Sequence, residues 1–422
     1  MSSDPRRGRG PVARHARLRS PHPLMQLVSL IGVAVVVGVV ALTGVVGYHV
    51  WDAAATVRDN AVDINPEGQA PPSMGEIEGG VNLLLVGTDS CEGQDLALFP
   101  RCGIDDDGGE RNDVTMLVHI SDEPRRVTVV SIPRDTYVSI PECEKADGGT
   151  FGGGTEKINA SYMYGGLACS VRTVEELTGE DIDYAAAIRW TGVINMSDAV
   201  GGVDVCLSGD ISDRHTGLAL TAGTHTLQGV QALQFLRIRH GIGDGSDLGR
   251  ISNQQQFMSS LVRKLQSDAV FGDAGTLLNF AGTALDQVRE KQLVLDTGLA
   301  NPNTMVQIAM ALKGIPFEDI VFVQYPTYYE GDGVRPITSA ADQLFAALNA
   351  NAPLQLTGDA SGGFGVEVTG EAQNPVAPEE PVDGATTDPS AAPVDPGAPA
   401  VELPSSIPGQ SAAQVTCTVP QR

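Results

Sequence analysis

Several familiar kinds of chemistry are missing from this sequence. There is no G-x-S-x-G elbow and no H-E-x-x-H pair, and only seven histidines occur in 422 residues. Serine-hydrolase and zinc-peptidase readings therefore fail. Gly152-Gly153-Gly154 is not followed by the Lys and Ser/Thr of a P-loop. The six cysteines contain no C-x-x-C pair, which removes thioredoxin and zinc-ribbon chemistry. Positive charge is scarce: 27 Lys and Arg stand against 52 Asp and Glu, a net charge of −25. A chain this acidic repels nucleic-acid phosphates, so a nucleic-acid partner is excluded. Any phosphate chemistry needs a local basic pocket in a negative field.

The positive charge that exists is unevenly placed. Arg6, Arg7, Arg9, Arg14, Arg17 and Arg19 precede an uncharged apolar run from Leu27 to Tyr48. A run of that length spans a bilayer core as a helix. The arginines then keep residues 1–24 cytoplasmic, and everything after the helix at 25–50 is extracellular. The expectation is a single-pass cell-membrane protein rather than a cleaved signal peptide, because Tyr48 and Trp51 suit an interfacial belt. Cysteines in such a compartment are read as disulfides. Cys91–Cys102 and Cys143–Cys169 are the expected pairs, though six cysteines allow fifteen connectivities. Closing the first loop would stabilise by about 3 kcal/mol in the chain-entropy model. Cys417 is expected to lie unpaired in a tail.

Residues 51–80 read as a juxtamembrane stalk and 81–366 as the extracellular domain. Apolar runs predict strands at 81–86, 114–120, 126–132, 184–189, 203–207 and 319–324. Helical spacing recurs at 167–177, 227–236, 248–265, 303–312 and 339–349. Strands alternating with helices predict an α/β fold, an α/β/α sandwich around a central mixed sheet. Residues 367–422 are rich in Pro, Ala and acids and are expected to be a disordered tail.

Charged residues gather where the strands end. Asp89 follows the first strand, Arg111 and Asp113 precede the second, and Arg134-Asp135 follows the third. Ligands collect outside the carboxyl ends of strands in α/β sheets. A second cluster runs from Arg237 and Arg239, through a loop with three glycines, to Asp247, Arg250 and Gln254. The last three share one helical face, and the helix start offers free N–H groups to an anion. Guanidinium forks around a Gly-rich turn suit a diphosphate. Asp247 could also be no more than an N-cap paired with Arg250. Lys157 adds positive charge from a third segment, Lys157-Ile158-Asn159.

Together these segments resemble the LytR–CpsA–Psr family of envelope glycopolymer ligases, over about residues 81–265. The matching pieces are Gly87-Thr88-Asp89, Arg111-Asn112-Asp113, Ser131-Ile132-Pro133-Arg134-Asp135, Lys157-Ile158-Asn159, and Arg237 and Arg239 with Asp247, Arg250 and Gln254. The resemblance implies transfer of a glycan phosphate from a polyprenyl-pyrophosphate donor to a peptidoglycan acceptor, at the muramic acid C6 hydroxyl. It implies an α/β/α sandwich with a hydrophobic tunnel. It assigns Asp89 and Asp113 to magnesium, with manganese as a substitute. Arg134, Arg237, Arg239 and Arg250 become the pyrophosphate clamp, and Arg111, Asp247 and Gln254 hold that clamp in place. Hydrolysis of the same donor, and non-catalytic reception, remain as alternatives. The sequence departs from the family where Ser and Thr often flank the Asp of the second motif: Asn112 and Val114 stand there.

Overall fold

A computed structural model of the chain describes residues 52, 55–64, 80–103, 109–145, 148–267, 274–360, 365–374 and 399–421. The expected membrane helix at 25–50 and the basic segment before it lie outside those residues. Among the described residues no helix is long and apolar enough to cross a membrane.

The core is a seven-stranded mixed sheet. Its strands are β1 (Val81–Thr88), β2 (Asn112–Ile120), β3 (Val127–Ile132), β4 (Tyr184–Ile188), β5 (Leu293–Leu295), β6 (Ile320–Gln324) and β7 (Gly409–Ser411). They lie in the order β5-β4-β1-β2-β3-β6-β7. β2 is antiparallel to both β1 and β3, β4 is parallel to β1, and β6 is parallel to β3. Four carboxyl ends, those of β1, β3, β4 and β6, therefore share one edge with the amino end of β2.

Alternate residues of each strand face opposite sides, so both faces must be covered. Leu84, Val86, Leu117, Val130 and Val323 pack against α1 (Ser161–Thr178) and, later in the chain, the helix at Thr338–Asn349. On the other face Met116, Val118, Val129 and Phe322 meet helices that follow α1. These are α2 (Trp190–Ala199), α3 (Gly229–Arg237), α4 (Asp247–Leu265), α5 (Ala274–Arg289) and α6 (Pro302–Leu312). Direct packing on this face comes from Met258 and Val262 of α4, Val288 of α5 and Ile308 of α6. The layers are helix, sheet, helix, as expected. Leu117 and Val130 are fully buried at its centre, where truncation to Ala costs a Leu about 2–5 kcal/mol.

Two boundaries need correcting. Part of the expected stalk docks on the sheet: Val62 N donates to the Leu295 carbonyl at 2.8 Å, and Val57 and Ile64 are buried. The expected tail is folded at 367–374 and 399–421. β7 adds an edge strand beside β6. The strands Val366–Glu371 and Gln414–Thr418 join Val203–Leu207 and Gly223–Leu227 in a second, four-stranded sheet. Cys417 is not solitary: its sulfur lies 1.93 Å from that of Cys206. Cys91 with Cys102 and Cys143 with Cys169 stand at similar distances, 1.98 and 2.03 Å. Residues 375–398 lie outside the described set.

Candidate active site

β1 hands Asp89 to the sheet edge, and a two-way latch holds it there. Arg111 N donates to Asp89 Oδ1 at 2.8 Å, and Asp89 N donates to the Arg111 carbonyl at 3.1 Å. β2 starts at once, so Asp113 stands at its mouth. β3 stops at Pro133, which has no N–H for the ladder, and Arg134 turns back across the edge. Its Nη1 meets Asp113 Oδ1 at 2.6 Å, while its Nε lies 3.4 Å from Asp247 Oδ1 and 3.8 Å from Asp135 Oδ2. Arg250 Nη2 lies 2.5 Å from Asp247 Oδ1 and donates to the Asp113 carbonyl at 3.1 Å. Asp113, Arg134, Asp247 and Arg250 thus form a ring of alternating charge drawn from three elements.

α4 organises the rest. Ser246, not Asp247, caps it: Ser246 Oγ accepts from Gly249 N at 3.2 Å. That leaves the Asp247 carboxylate free to serve Arg134 and Arg250. Two turns on, Gln254 Nε2 donates to the Leu236 carbonyl at 3.0 Å, and Asn253 Nδ2 to that of Phe235 at 2.8 Å. Both hold the last turn of α3, which presents Arg237. The Arg237 guanidinium lies over the Trp190 ring, 4.0 Å from its centroid, a cation–π contact. Arg239 is anchored by its backbone, N to Asp213 Oδ2 at 3.4 Å. Lys157 Nζ lies 3.5 Å from Asp135 and 3.3 Å from Asp332 Oδ2, at the rim.

Asp113 and Asp89 respond oppositely to this setting. Burial alone would raise Asp113, but Arg134, Arg250 and Arg237 outweigh it and hold the carboxyl below its ordinary value. Burial raises Asp89, and the neighbouring Asp113 raises it further. Two carboxylates crowd one spot, and only one is neutralised by arginines. A cation would relieve the other. Among the described residues no group of three or more His, Cys, Asp or Glu is placed to hold a metal. Two carboxylates still fit magnesium, which usually takes the rest of its shell from water and phosphate. The Nε atoms of Arg239 and Arg250 are buried with no hydrogen-bond acceptor among the described residues, so two donors are left without a partner from the protein itself.

Directly beneath lies a cavity of about 450 Å³. Asp113, Arg237, Arg250 and Gln254 line one part of it, and Leu261, Leu265 and Phe280 another. Arg250 to Leu265 is fifteen residues of α4, roughly 22 Å of helix at 1.5 Å per residue. The charged and the oily parts are therefore far apart on one rigid rod.

Arg111 is the expected site residue that does not join. Its guanidinium is exposed and makes no hydrogen bond or ion pair among the described residues; it acts through its backbone on Asp89. Asn112 proves structural. With its amide turned to satisfy both ends, its nitrogen donates to the Ile158 and Asn159 carbonyls at 3.3 and 2.7 Å, tying β2 to the Lys157-Ile158-Asn159 segment. Sequence reasoning missed Arg189 and Trp190. Arg189 pairs with both oxygens of Glu110 at 3.0 and 2.8 Å, and the pair braces the strand ends. Its signal was present, because Arg189 follows β4 as Arg134 follows β3.

A ring of arginines and carboxylates opening on an apolar cavity, at the carboxyl edge of an α/β sheet, defines a protein shaped for an anionic group on an apolar chain. The sequence model of the LytR_cpsA_psr family matches residues 48–348, and the chain belongs to that family. It is 36% identical over 248 residues to the probable cell wall biosynthesis protein LcpB of Corynebacterium glutamicum, covering 58% of this chain and 53% of that one. The match thus spans about half the length of that relative. It is 30% identical over 260 residues to the polyisoprenyl-teichoic acid–peptidoglycan teichoic acid transferase TagU of Bacillus mycoides, covering 60% and 75%. The solved LytR-Csp2A-Psr enzyme from Actinomyces oris aligns with TM-score 0.46 at 22% identity, covering 68% of this chain and 95% of that one.

Proposed function

We propose that this protein is a cell-wall phosphotransferase. It moves a glycan phosphate from a polyprenyl-pyrophosphate donor to the muramic acid C6 hydroxyl of peptidoglycan and releases polyprenyl phosphate. The observation that carries this reading is the continuity of the arginine–carboxylate ring with the apolar cavity. A lipid tail fills the oily part while its pyrophosphate meets Arg134, Arg237, Arg239 and Arg250. The name of TagU supports the same substrate classes.

The residues divide the work. The arginines neutralise the pyrophosphate and orient it through charge-assisted hydrogen bonds to its oxygens. Asp247 and Gln254 keep Arg250, Arg134 and the end of α3 in place, and Lys157 holds Asp135 at the rim. Asp89 and Asp113 would hold a magnesium ion, or manganese, which would offset further charge on the phosphate oxygens. The acceptor oxygen forms a new P–O bond to the glycan-bearing phosphorus. The bond from that phosphorus to the polyprenyl phosphate oxygen breaks, and the hydroxyl proton is lost to a base. The apolar run at 25–50 serves as a single membrane anchor, N-terminus inside, and the three cysteine pairs are oxidised outside.

The test uses the full chain in detergent with a polyprenyl-pyrophosphate-linked glycan and peptidoglycan fragments. Release of polyprenyl phosphate together with a glycan–phosphate–muramic linkage is expected. Release with free glycan phosphate and no linkage would make the protein a hydrolase. Binding without turnover would make it a receptor.

A further inference from the structure

The loop between α3 and α4 carries Arg239, and its internal hydrogen bonds lie toward its far end, Gly245 N to the Ile242 carbonyl at 3.0 Å and Ser246 N to Asp244 Oδ1 at 2.9 Å. Gly241, Gly243 and Gly245 have φ of +89, +48 and +76°, a region that glycine enters freely. A backbone this permissive does not by itself hold a guanidinium in place. The hydrogen bonds of Gly241 and Gly243 are met from elsewhere. Gly241 N donates to Gln421 Oε1 at 2.8 Å, Gln421 N donates to the Gly241 carbonyl at 3.0 Å, and Gly243 N donates to the Val419 carbonyl at 2.9 Å. Ile242 and Pro420 form an antiparallel bridge.

The same segment grips α4. Thr418 Oγ1 meets Asn253 Oδ1 at 2.5 Å and Gln256 Oε1 at 2.6 Å, and Gln256 Nε2 donates to the Thr416 and Cys206 carbonyls at 2.6 and 2.8 Å. Val419 N donates to the Gly365 carbonyl at 2.9 Å. Gly365 in turn presses on the first turn of α4, where an added Cβ would lie 2.7 Å from the Gly249 carbonyl oxygen. Asn253 also holds the end of α3. One segment thus touches the loop and the helix that delimits it.

We propose that Gln421 is a positioning residue for the arginine loop: it sets the conformation of residues 240–246 and so the aim of Arg239. The idea rests on the phosphotransferase reading for its effect on turnover, but not for its effect on the loop. Gln421 is exposed, so replacing it opens no hole in the core.

The experiment compares the full chain in detergent with Gln421→Ala and Gln421→Glu, the second keeping an acceptor for Gly241 N. Amide hydrogen exchange in a peptide covering 238–246 should rise about tenfold in Gln421→Ala, the worth of one good hydrogen bond, with exchange in β1 to β3 unchanged. kcat on the polyprenyl-pyrophosphate donor should fall by a similar factor while Tm stays put, and Gln421→Glu should recover most of both. Unchanged exchange in Gln421→Ala overturns the proposal whatever the activity. Faster exchange with wild-type kcat and KM also overturns it, since the loop would then not need to be held. Absence of turnover in the wild-type chain would sink the phosphotransferase reading instead, and the exchange measurement would still decide this one.

Discussion

The two edges of the central sheet use the same residue types and treat them differently. At the far edge His119 is buried and its Nδ1 faces Asn82 Oδ1 at 2.9 Å. Arg126 there is spent on the Asn351 carbonyl and side-chain oxygen, at 2.9 and 3.0 Å, with Asp319 3.5 Å away. Charge is neutralised locally and bound to backbone. At the carboxyl edge four arginines and four aspartates crowd together, and one carboxylate pair repels. Folding alone gives no reason to concentrate charge that way, because buried ion pairs repay their desolvation poorly. The contrast separates a site that closes a structure from one that awaits a ligand.

The sharpest way to break this contrast is to delete one arginine from each edge. Arg134→Ala should lower transfer by about 100- to 1000-fold, the range for removing a charge-stabilising donor, a loss far larger than the accompanying fall in Tm from leaving Asp113 and Asp247 with one partner fewer. Arg126→Ala should do the reverse, lowering Tm by several degrees while each folded molecule stays active. If both variants lose activity equally, the edges do not differ as described. Next comes pH. Burial lowers the His119 pKa from 6.5 to about 4. The folded state therefore prefers neutral His119, and its contribution is fully present above pH 6.5 and lost as pH falls toward 4. On the order of 3 kcal/mol of unfolding free energy should disappear across that window, and denaturant titrations of His119→Gln should show a flatter slope. A slope identical to wild type would mean that His119 is not buried in solution.

A comparable effect on activity is expected at the acidic pair. Asp89→Ala and Asp113→Ala should each cost about 100-fold, and the double variant little more, if both serve one metal. Chelator should abolish transfer, and magnesium or manganese should restore it. Additive losses, or full activity in chelator, would leave the arginines as the only neutralising groups. The smallest effect belongs to Arg111→Ala, about threefold or less on kcat/KM, because its backbone does the holding and its side chain is exposed. A loss as large as that of Arg134→Ala would return Arg111 to the clamp.

The carboxyl edge was legible because its signals are local. Apolar runs of five or six residues ended by Gly or Pro announce β1 and β3, and the charge that follows has one place to go. The helical face of Asp247, Arg250 and Gln254 was equally readable from spacing. Residues 399–421 were not. β7 has three residues and the strand Gln414–Thr418 has five, too few for a period. Composition around them is diluted by the Pro- and Ala-rich stretch. Their partners lie far back in the chain, and nothing local records that. Cysteine arithmetic held the missing hint: once Cys91–Cys102 and Cys143–Cys169 are paired, Cys206 and Cys417 are left for each other. Arg111 misled for the opposite reason, since a motif position does not say whether side chain or backbone does the holding.

The long reach of the Cys206–Cys417 pair bears on the order in which the protein is made. Cys102 and Cys169 follow their partners by 11 and 26 residues, whereas Cys417 follows Cys206 by 211. At synthesis rates of about 5–20 residues per second, Cys206 waits roughly 10–40 s for its partner to be made. Most of the sheet and its acidic edge can assemble in that interval, but the arginine loop lacks the hydrogen bonds that Val419 and Gln421 supply until residues 414–421 emerge. A nascent chain should therefore pass from inert to competent in one late step. Alkylation of pulse-labelled chains would reveal it as a form with two cysteine pairs closed and one open.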